Sequence, residues 1–196
     1  MPDASVIHPK FHHVNLKTTR LQEMIDFYSE LVGAEVLHQY ELGAWLSNDV
    51  ANHRIALLAF PNFVEDPEKD TRVGMHHMAF EYDSFEELNA SYLRLRDAGI
   101  TPTFCLDHGM TFSYYYSDPD GNFVELQIDN FGDWSKSSEW MRESPAFKDD
   151  PLGKFVDPDR VAEVFAAGMT FEQIHARAIV GELAPDAEPL ELPTEV

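Results

Sequence analysis

The sequence has little of three things: cysteine, positive charge and long apolar runs. Cys105 is the one cysteine among 196 residues, so the chain cannot form an internal disulfide. Lysine and arginine total 14 against 35 acidic residues, which gives a formal net charge of -21 at pH 7. This balance repels nucleic-acid phosphates and anionic lipid headgroups, so neither is an expected partner. The apolar runs are also far shorter than the ~20 residues that a membrane span needs.

The first five residues, Met1-Pro2-Asp3-Ala4-Ser5, lack the basic and apolar regions of a signal peptide. Together with the single cysteine, this predicts a cytoplasmic protein. The length suits one compact domain, or two small modules fused in one chain.

The strongest local signal is the run Asp118-Pro119-Asp120-Gly121-Asn122. Aromatic residues precede it and a Phe/Val/Leu/Ile-rich run follows, while proline presets φ and glycine supplies a positive φ. This pattern predicts a β-hairpin. On its second strand Phe123, Glu125 and Gln127 share one face, because side chains alternate along a strand. A carboxylate therefore sits in mid-strand.

The element order βαβββ is predicted twice along the chain. The first pass comprises a strand at 10–17, a helix capped by Thr19 and Gln22 that ends at Gly33, and strands at 35–40, 43–47 and 54–60. The second comprises a strand at 75–81, a helix capped by Ser84 and Glu87 that ends near Gly99, and strands at 101–106, 110–116 and 122–128.

The two passes form an internal repeat. His12-His13-Val14-Asn15-Leu16 aligns with His76-His77-Met78-Ala79-Phe80, 64 residues later. We therefore predict an α+β domain over residues 1–130, built from modules at about 8–64 and 74–130. Residues 131–183 read as a helical extension with helices at 134–142, from Pro158, and at 170–179. The Pro- and Glu-rich tail, 184–196, is expected to be disordered or extended.

These features resemble the vicinal oxygen chelate superfamily, which includes glyoxalases, bleomycin-resistance proteins and ring-cleaving extradiol dioxygenases. The resemblance rests on the doubled βαβββ order, His13, His77 and the 118–122 turn followed by Glu125, and it covers residues 8 to 130. It implies that the modules curl into a half-open barrel around a metal ion. It also implies that His13, His77 and Glu125 occupy three of the four ligand positions of the family.

The fourth position separates members of this superfamily. Aligning Asn122-Phe123-Val124-Glu125 with Asn52-His53-Arg54-Ile55 places Ile55 there, and its side chain cannot bind a metal. Two imidazoles, one carboxylate and open positions suit non-haem Fe(II), with Mn(II) as the alternative. A glyoxalase would be expected to supply a fourth protein ligand.

The resemblance also implies roles for residues around the metal. Strand alternation places His53 on the face of Ile55, and so towards the metal cleft, where it would assist proton transfer. Tyr115 and His108 would hydrogen-bond the substrate oxygen. His12 and His76 are predicted to face away as packing or surface residues. A single histidine on a strand is more often a hydrogen-bonded polar residue than a metal ligand. The prediction therefore depends on His13, His77 and Glu125 occurring together in the register of the repeat.

The sequence thus predicts an Fe(II)-dependent extradiol dioxygenase of the small, single-pair type. It would cleave a catechol-type aromatic diol with O2, in aromatic-compound catabolism, as a homo-oligomer. Two alternatives stay open. A glyoxalase-like isomerase or lyase would use the same three ligands without oxygen, and a non-catalytic small-molecule-binding protein would need only the cleft.

Overall fold

The computed structural model describes residues 6–190. The chain divides into two compact units, residues 1–72 and 73–196. In the first unit four strands form one open sheet in the order β1-β4-β3-β2, with β1 parallel to β4. Its elements are β1 (Val14–Lys17), α1 (Leu21–Val32), β2 (Glu35–Tyr40), β3 (Gly43–Ser47) and β4 (Ile55–Leu58).

The second unit repeats this plan and extends it. Its five-stranded sheet has the order β5-β8-β7-β6-β9, with β5 parallel to β8. The repeated elements are β5 (His77–Glu81), α2 (Phe85–Asp97), β6 (Phe104–Asp107), β7 (Thr111–Ser117) and β8 (Phe123–Asp129). The predicted α+β fold with two βαβββ modules is therefore confirmed.

Four helices and one short strand follow within residues 130–190. They are α3 (Trp134–Glu143), α4 (Pro145–Asp149), β9 (Lys154–Phe155), α5 (Pro158–Ala166) and α6 (Phe171–Ala178). The caps of α5 and α6 are as predicted, since Asp157 precedes Pro158 and Thr170 forms a capping box with Gln173. Neither α4 nor β9 was predicted, because two or five residues are too few to show a periodic pattern.

In each unit the core lies between the helix and one face of the sheet. The first core combines Met24, Ile25, Tyr28 and Leu31 of α1 with Leu46, Ile55 and Leu57 of the sheet. The second combines Phe85, Leu88, Tyr92 and Leu95 of α2 with Phe112, Tyr114, Tyr116, Val124 and Leu126. Each fully buried Leu or Phe side chain stabilises the fold by about 1.5–3 kcal/mol. The opposite face of the second sheet carries Glu125 beside a buried cluster of Phe104, Leu106, Tyr115 and Phe155.

Several strand starts and one cap differ from the prediction, by three residues at β6 and by one at β4, β7 and β8. β1 begins at Val14 and β5 at His77, so His13 lies immediately before its strand, and so does His76. The N-cap of α1 is Arg20, not Thr19. The Thr18 hydroxyl accepts the Arg20 backbone N–H at 2.8 Å, and Gln22 instead bonds to Asp26. Gly33, with φ 66°, ends α1 as predicted.

Residues 184–190, the described part of the tail, contact other residues of the second unit. Arg160 donates to the Ala184 carbonyl and to the Asp186 carboxylate, and Leu190 packs against a cluster that includes Phe104 and Tyr115. Residues 191–196 of the predicted disordered tail lie outside the described residues. Across residues 6–190, every helix is too short or too polar to cross a membrane.

Candidate metal centre

Glu125 is the centre of a hydrogen-bonded group in the second unit. It lies in β8 between Ala79 of β5 and Tyr115 of β7. Its neighbours Val124 and Leu126 fill the core, so alternation turns Glu125 to the other sheet face. One carboxylate oxygen, Oε2, lies 3.1 Å from Nε2 of His77. The other, Oε1, accepts the Tyr115 hydroxyl at 2.7 Å.

The group continues from Tyr115 to His108. Nε2 of His108 lies 2.9 Å from the Tyr115 hydroxyl oxygen. Because that hydroxyl has one proton and donates it to Glu125, His108 must donate through Nε2–H. Burial lowers the pKa of His108 and outweighs the opposing charge of Glu125, which favours the neutral ring. His108 thus donates to Tyr115, and Tyr115 donates to Glu125, in one directed chain of hydrogen bonds.

Electrostatics keep Glu125 ionised although only 5% of its surface is exposed. Burial by itself raises the pKa of the carboxyl group. Hydrogen bonds from His77, Ser113 and Tyr115 outweigh that effect, so the net pKa of Glu125 is below its usual value. A buried anion held by three donors is a suitable ligand for a cation.

A fully buried carboxylate, Asp107, supports the turn that carries His108. Asp107 accepts the Gly109 backbone N–H at 2.9 Å and the Asn130 amide at 3.1 Å. Its second oxygen lies 2.7 Å from Nδ1 of His175, which is on α6. The helical extension therefore fixes the turn next to His108. Sequence reasoning missed Asp107 and His175, and the one available signal was an acidic residue directly before a predicted site histidine.

The histidines that precede each ligand candidate are exposed, as predicted for surface residues, but they do not face away from it. Nδ1 of His76 lies 2.8 Å from Nδ1 of His77, on the side of the ring opposite the nitrogen near Glu125. In the first unit Nδ1 of His12 lies 3.1 Å from Nδ1 of His13. β1 begins after its pair and β5 begins at His77, so strand alternation does not extend to His12 or His76. A partner on one ring nitrogen sets which tautomer the other presents.

His53 meets His13 within the first unit. Their ring centroids are 4.3 Å apart, and His12 is 5.2 Å from His53. The pKa of His53 is lowered by burial first, and then by the neighbouring positive charges that His13 and His12 would carry. His53 and His13 are thus neighbours in the first unit, and the catalytic role of His53 stays a prediction.

The alignment that put Ile55 at the fourth ligand position is wrong. Ile55 pairs with Val14, as Val124 pairs with Met78, so Ile55 corresponds to Val124. Ile55 is accordingly in the core, 1% exposed. Residue 53 lies before β4, where alternation no longer holds, and this is why His53 and Ile55 do not share a face.

Ala56 is the residue that corresponds to Glu125. It pairs with Asn15 and Trp45, just as Glu125 pairs with Ala79 and Tyr115. A methyl group cannot bind a metal either. The fourth ligand position thus still lacks a metal-binding side chain, although the residue at that position is Ala56 and not Ile55.

The donor set fits a divalent ion. Two ligand atoms at right angles, each ~2.1 Å from an ion, are about 3.0 Å apart. His77 Nε2 and Glu125 Oε2 are separated by 3.1 Å. His13 belongs to the other unit, and its part in a three-residue site stays a prediction.

Comparison with known proteins places the chain in a family. The family model of the glyoxalase/bleomycin resistance protein/dioxygenase superfamily matches residues 10–126 of this sequence. The chain therefore belongs to this superfamily. The chain is 38% identical over 178 residues to a biphenyl-2,3-diol 1,2-dioxygenase 2 of Rhodococcus globerulus, covering 91% of this chain and 93% of that protein. It is 36% identical to biphenyl-2,3-diol 1,2-dioxygenase 3 of the same organism, covering 87% and 89%.

A third relative is a catechol-2,3-dioxygenase of Bacillus subtilis (strain 168). The identity is 30% over 139 residues, which cover 70% of this chain and 46% of that protein.

Proposed function

We propose that this protein is an Fe(II)-dependent extradiol dioxygenase that opens the ring of a catechol-type diol with O2. The relatives named as dioxygenases of biphenyl-2,3-diol match this chain over most of their length. The observation that carries the proposal is buried Glu125, held between the His77 imidazole and the Tyr115 phenol. In this proposal His13, His77 and Glu125 hold the metal.

The ligand set favours iron chemistry with open positions. Two imidazoles and one carboxylate form the arrangement typical of non-haem Fe(II) oxygenases. When bound, the ion would supply open coordination positions for the two diol oxygens and for O2. Ala56, at the place equivalent to Glu125, leaves the set at three protein ligands. Mn(II) would use the same donors.

Tyr115 and His108 would bind the substrate. The Tyr115 hydroxyl donates to Glu125 and accepts from His108, so it is fixed in direction and position. A substrate oxygen would compete with Glu125 for the Tyr115 proton, while His108 would hold the phenol in place, which lowers the cost of positioning the ring. Phe104 stacks on Tyr115 with ring centroids 4.4 Å apart and restricts its movement.

His53 would move a proton. Its lowered pKa keeps the ring neutral near pH 7, so it can accept a proton from a diol hydroxyl. In the balanced reaction one ring carbon–carbon bond next to the diol breaks. Both atoms of O2 enter the product as new carbon–oxygen bonds, and no external reductant is consumed.

Anaerobic loading with Fe(II), followed by oxygen-electrode assays on a panel of mono- and bicyclic catechols, tests the proposal. We expect oxygen uptake with a yellow ring-opened product, and loss of both iron and uptake in Glu125→Gln. Gln127→Ala, on the same strand and face, is the matched control and should keep both. Absence of uptake with every diol, or full iron in Glu125→Gln, would overturn it. Light scattering of the loaded protein measures the expected homo-oligomer.

A further inference from the structure

Three imidazoles of the first unit converge: His12, His13 and His53. Each offers a ring nitrogen, and these nitrogens lie within 4.8 Å of one another. The ring centroids are 4.3 to 5.3 Å apart. Within residues 6–190 this is the one group of three or more such side chains that meets that distance.

The backbone beneath the three rings is tied together by Arg54. Its guanidinium donates to the His12 carbonyl at 2.8 Å and makes two bonds to the Asp49 carboxylate at 2.9 and 2.7 Å. The Arg54 carbonyl accepts the Val14 backbone N–H at 3.0 Å. One residue therefore joins the segment that carries His12 and His13 to the segment that carries His53. The hydrogen bonds of Asp49 lower its own pKa to about 2, so this anchor stays charged.

The spacing of the His12 and His13 rings is compatible with a shared cation as well as with the hydrogen bond that they can form without one. Their Nδ1 atoms are 3.1 Å apart, within a few tenths of an ångström of the ~3.4 Å expected of two nitrogen ligands at tetrahedral angles on Zn2+. All three rings are at least partly exposed, so an ion can reach them. Imidazole ligands favour Zn2+, Cu2+ and Ni2+ over Mg2+ or Ca2+.

The second unit provides an internal contrast. His76 and His77 repeat the adjacent pair, with Nδ1 atoms 2.8 Å apart. The ring next to His76 there is Phe123, at 5.3 Å, and it offers no nitrogen. The second unit therefore pairs His77 with Glu125, while the first unit has three imidazoles and no carboxylate in the group.

We propose that His12, His13 and His53 form a separate tri-imidazole site for a borderline divalent cation such as Zn2+. The site competes with the iron centre, because both need His13. It also engages His53, so Zn2+ bound there would stop turnover. Only this inhibitory consequence rests on the proposed function, since the site itself requires nothing but the three imidazoles.

Zn2+ titration by calorimetry of the full chain carrying His77→Ala and Glu125→Ala tests the site without the iron centre. We expect one Zn2+ per chain, with His12→Asn in this background weakening binding at least tenfold. His76→Asn is the matched control and should leave the affinity unchanged. Equal effects of the two asparagine variants, or no Zn2+ binding, would overturn the proposal.

The single variant Glu125→Gln serves as the background if the double variant does not fold, as judged by circular dichroism. There His12→Asn must again lower Zn2+ affinity more than His76→Asn does, and a smaller or equal effect would count against the site. These titrations contain no diol and no oxygen. Failure of the tri-imidazole site is therefore distinguishable from failure of the dioxygenase proposal.

Discussion

The two modules share a backbone plan but differ on the sheet face that is turned from the core. Both have a His-His pair at the start of the first strand and a parallel pairing of the first and last strands. At the matched position of the last strand the first module has Ala56 and the second has Glu125. The partners on the neighbouring strand are Trp45 and Tyr115. Duplication thus supplied the histidine twice, while the carboxylate and its phenol are present in one module.

The helical extension follows the same asymmetry. β9 pairs with β6, and His175 of α6 contacts Asp107 beside the turn that carries His108. These additions all lie in the second unit. The module with the buried anion also has the added support, which is consistent with the cost of holding a charge away from water. The first module instead offers exposed imidazoles, which are suited to accepting protons or binding a cation.

The largest expected effect concerns the first module. His53→Ala should keep Fe(II), because His53 is outside the proposed iron ligands, and should lower turnover about 10²–10⁴-fold, the size of a lost general acid–base group. Metal analysis and oxygen uptake on one preparation measure both quantities. His38→Ala, at an exposed histidine of β2 in the same unit, is the control. Loss of iron in His53→Ala would make His53 a ligand instead.

The next prediction uses the register of β4. Ile55→Glu should lower the free energy of unfolding by about 3–5 kcal/mol, because it puts an unpaired carboxylate in the core. Ala56 is also buried, 2% exposed, so Ala56→Glu should cost stability too, but it should keep or increase metal binding and lower turnover, because it adds the carboxylate at the position matching Glu125. Urea unfolding, metal content and oxygen uptake separate the two variants. The reverse pattern would mean that the register equating Ala56 with Glu125 is wrong.

The smallest expected effect is on stability against pH. His108 faces Tyr115, Glu125, His77 and Asp107, and burial lowers its folded-state pKa below the unfolded value of ~6.5. Above that value both states hold a neutral ring, so His108 has no effect. As the pH falls below ~6.5 the unfolded state takes up the proton first, and stability decreases until the folded pKa is passed.

The free energy of unfolding of the wild-type protein should decrease between pH 6.5 and 5. In His108→Gln this decrease should be smaller by on the order of 1 kcal/mol. Urea unfolding at several pH values measures this, with exposed His38→Gln as the control. An unchanged pH slope in His108→Gln would show that other groups cause the acid sensitivity.

Much of the fold follows from local pattern. β2 and β3 have the predicted bounds, Gly33 ends α1, and the 118–122 turn joins β7 to β8. These features depend on side-chain alternation, helix caps and φ preferences, which are set by residues close together in the sequence. The assignment of Ile55 failed for a different reason. It matched Ile55 to Glu125 by aligning Asn52 with Asn122, whereas the strand pairing matches Ala56 to Glu125, and the local sequence does not show a shift of one residue.

The sequence by itself determined the repeated α+β plan, the two His-His pairs, the hairpin that carries Glu125 and the acidic charge. Tertiary structure decided which groups meet: Glu125 with His77 and Tyr115, Asp107 with His175, and His12 with His13 and His53. Those contacts join residues on different strands and loops, up to 68 positions apart. Such distances depend on register and strand order, which no window of neighbouring residues encodes.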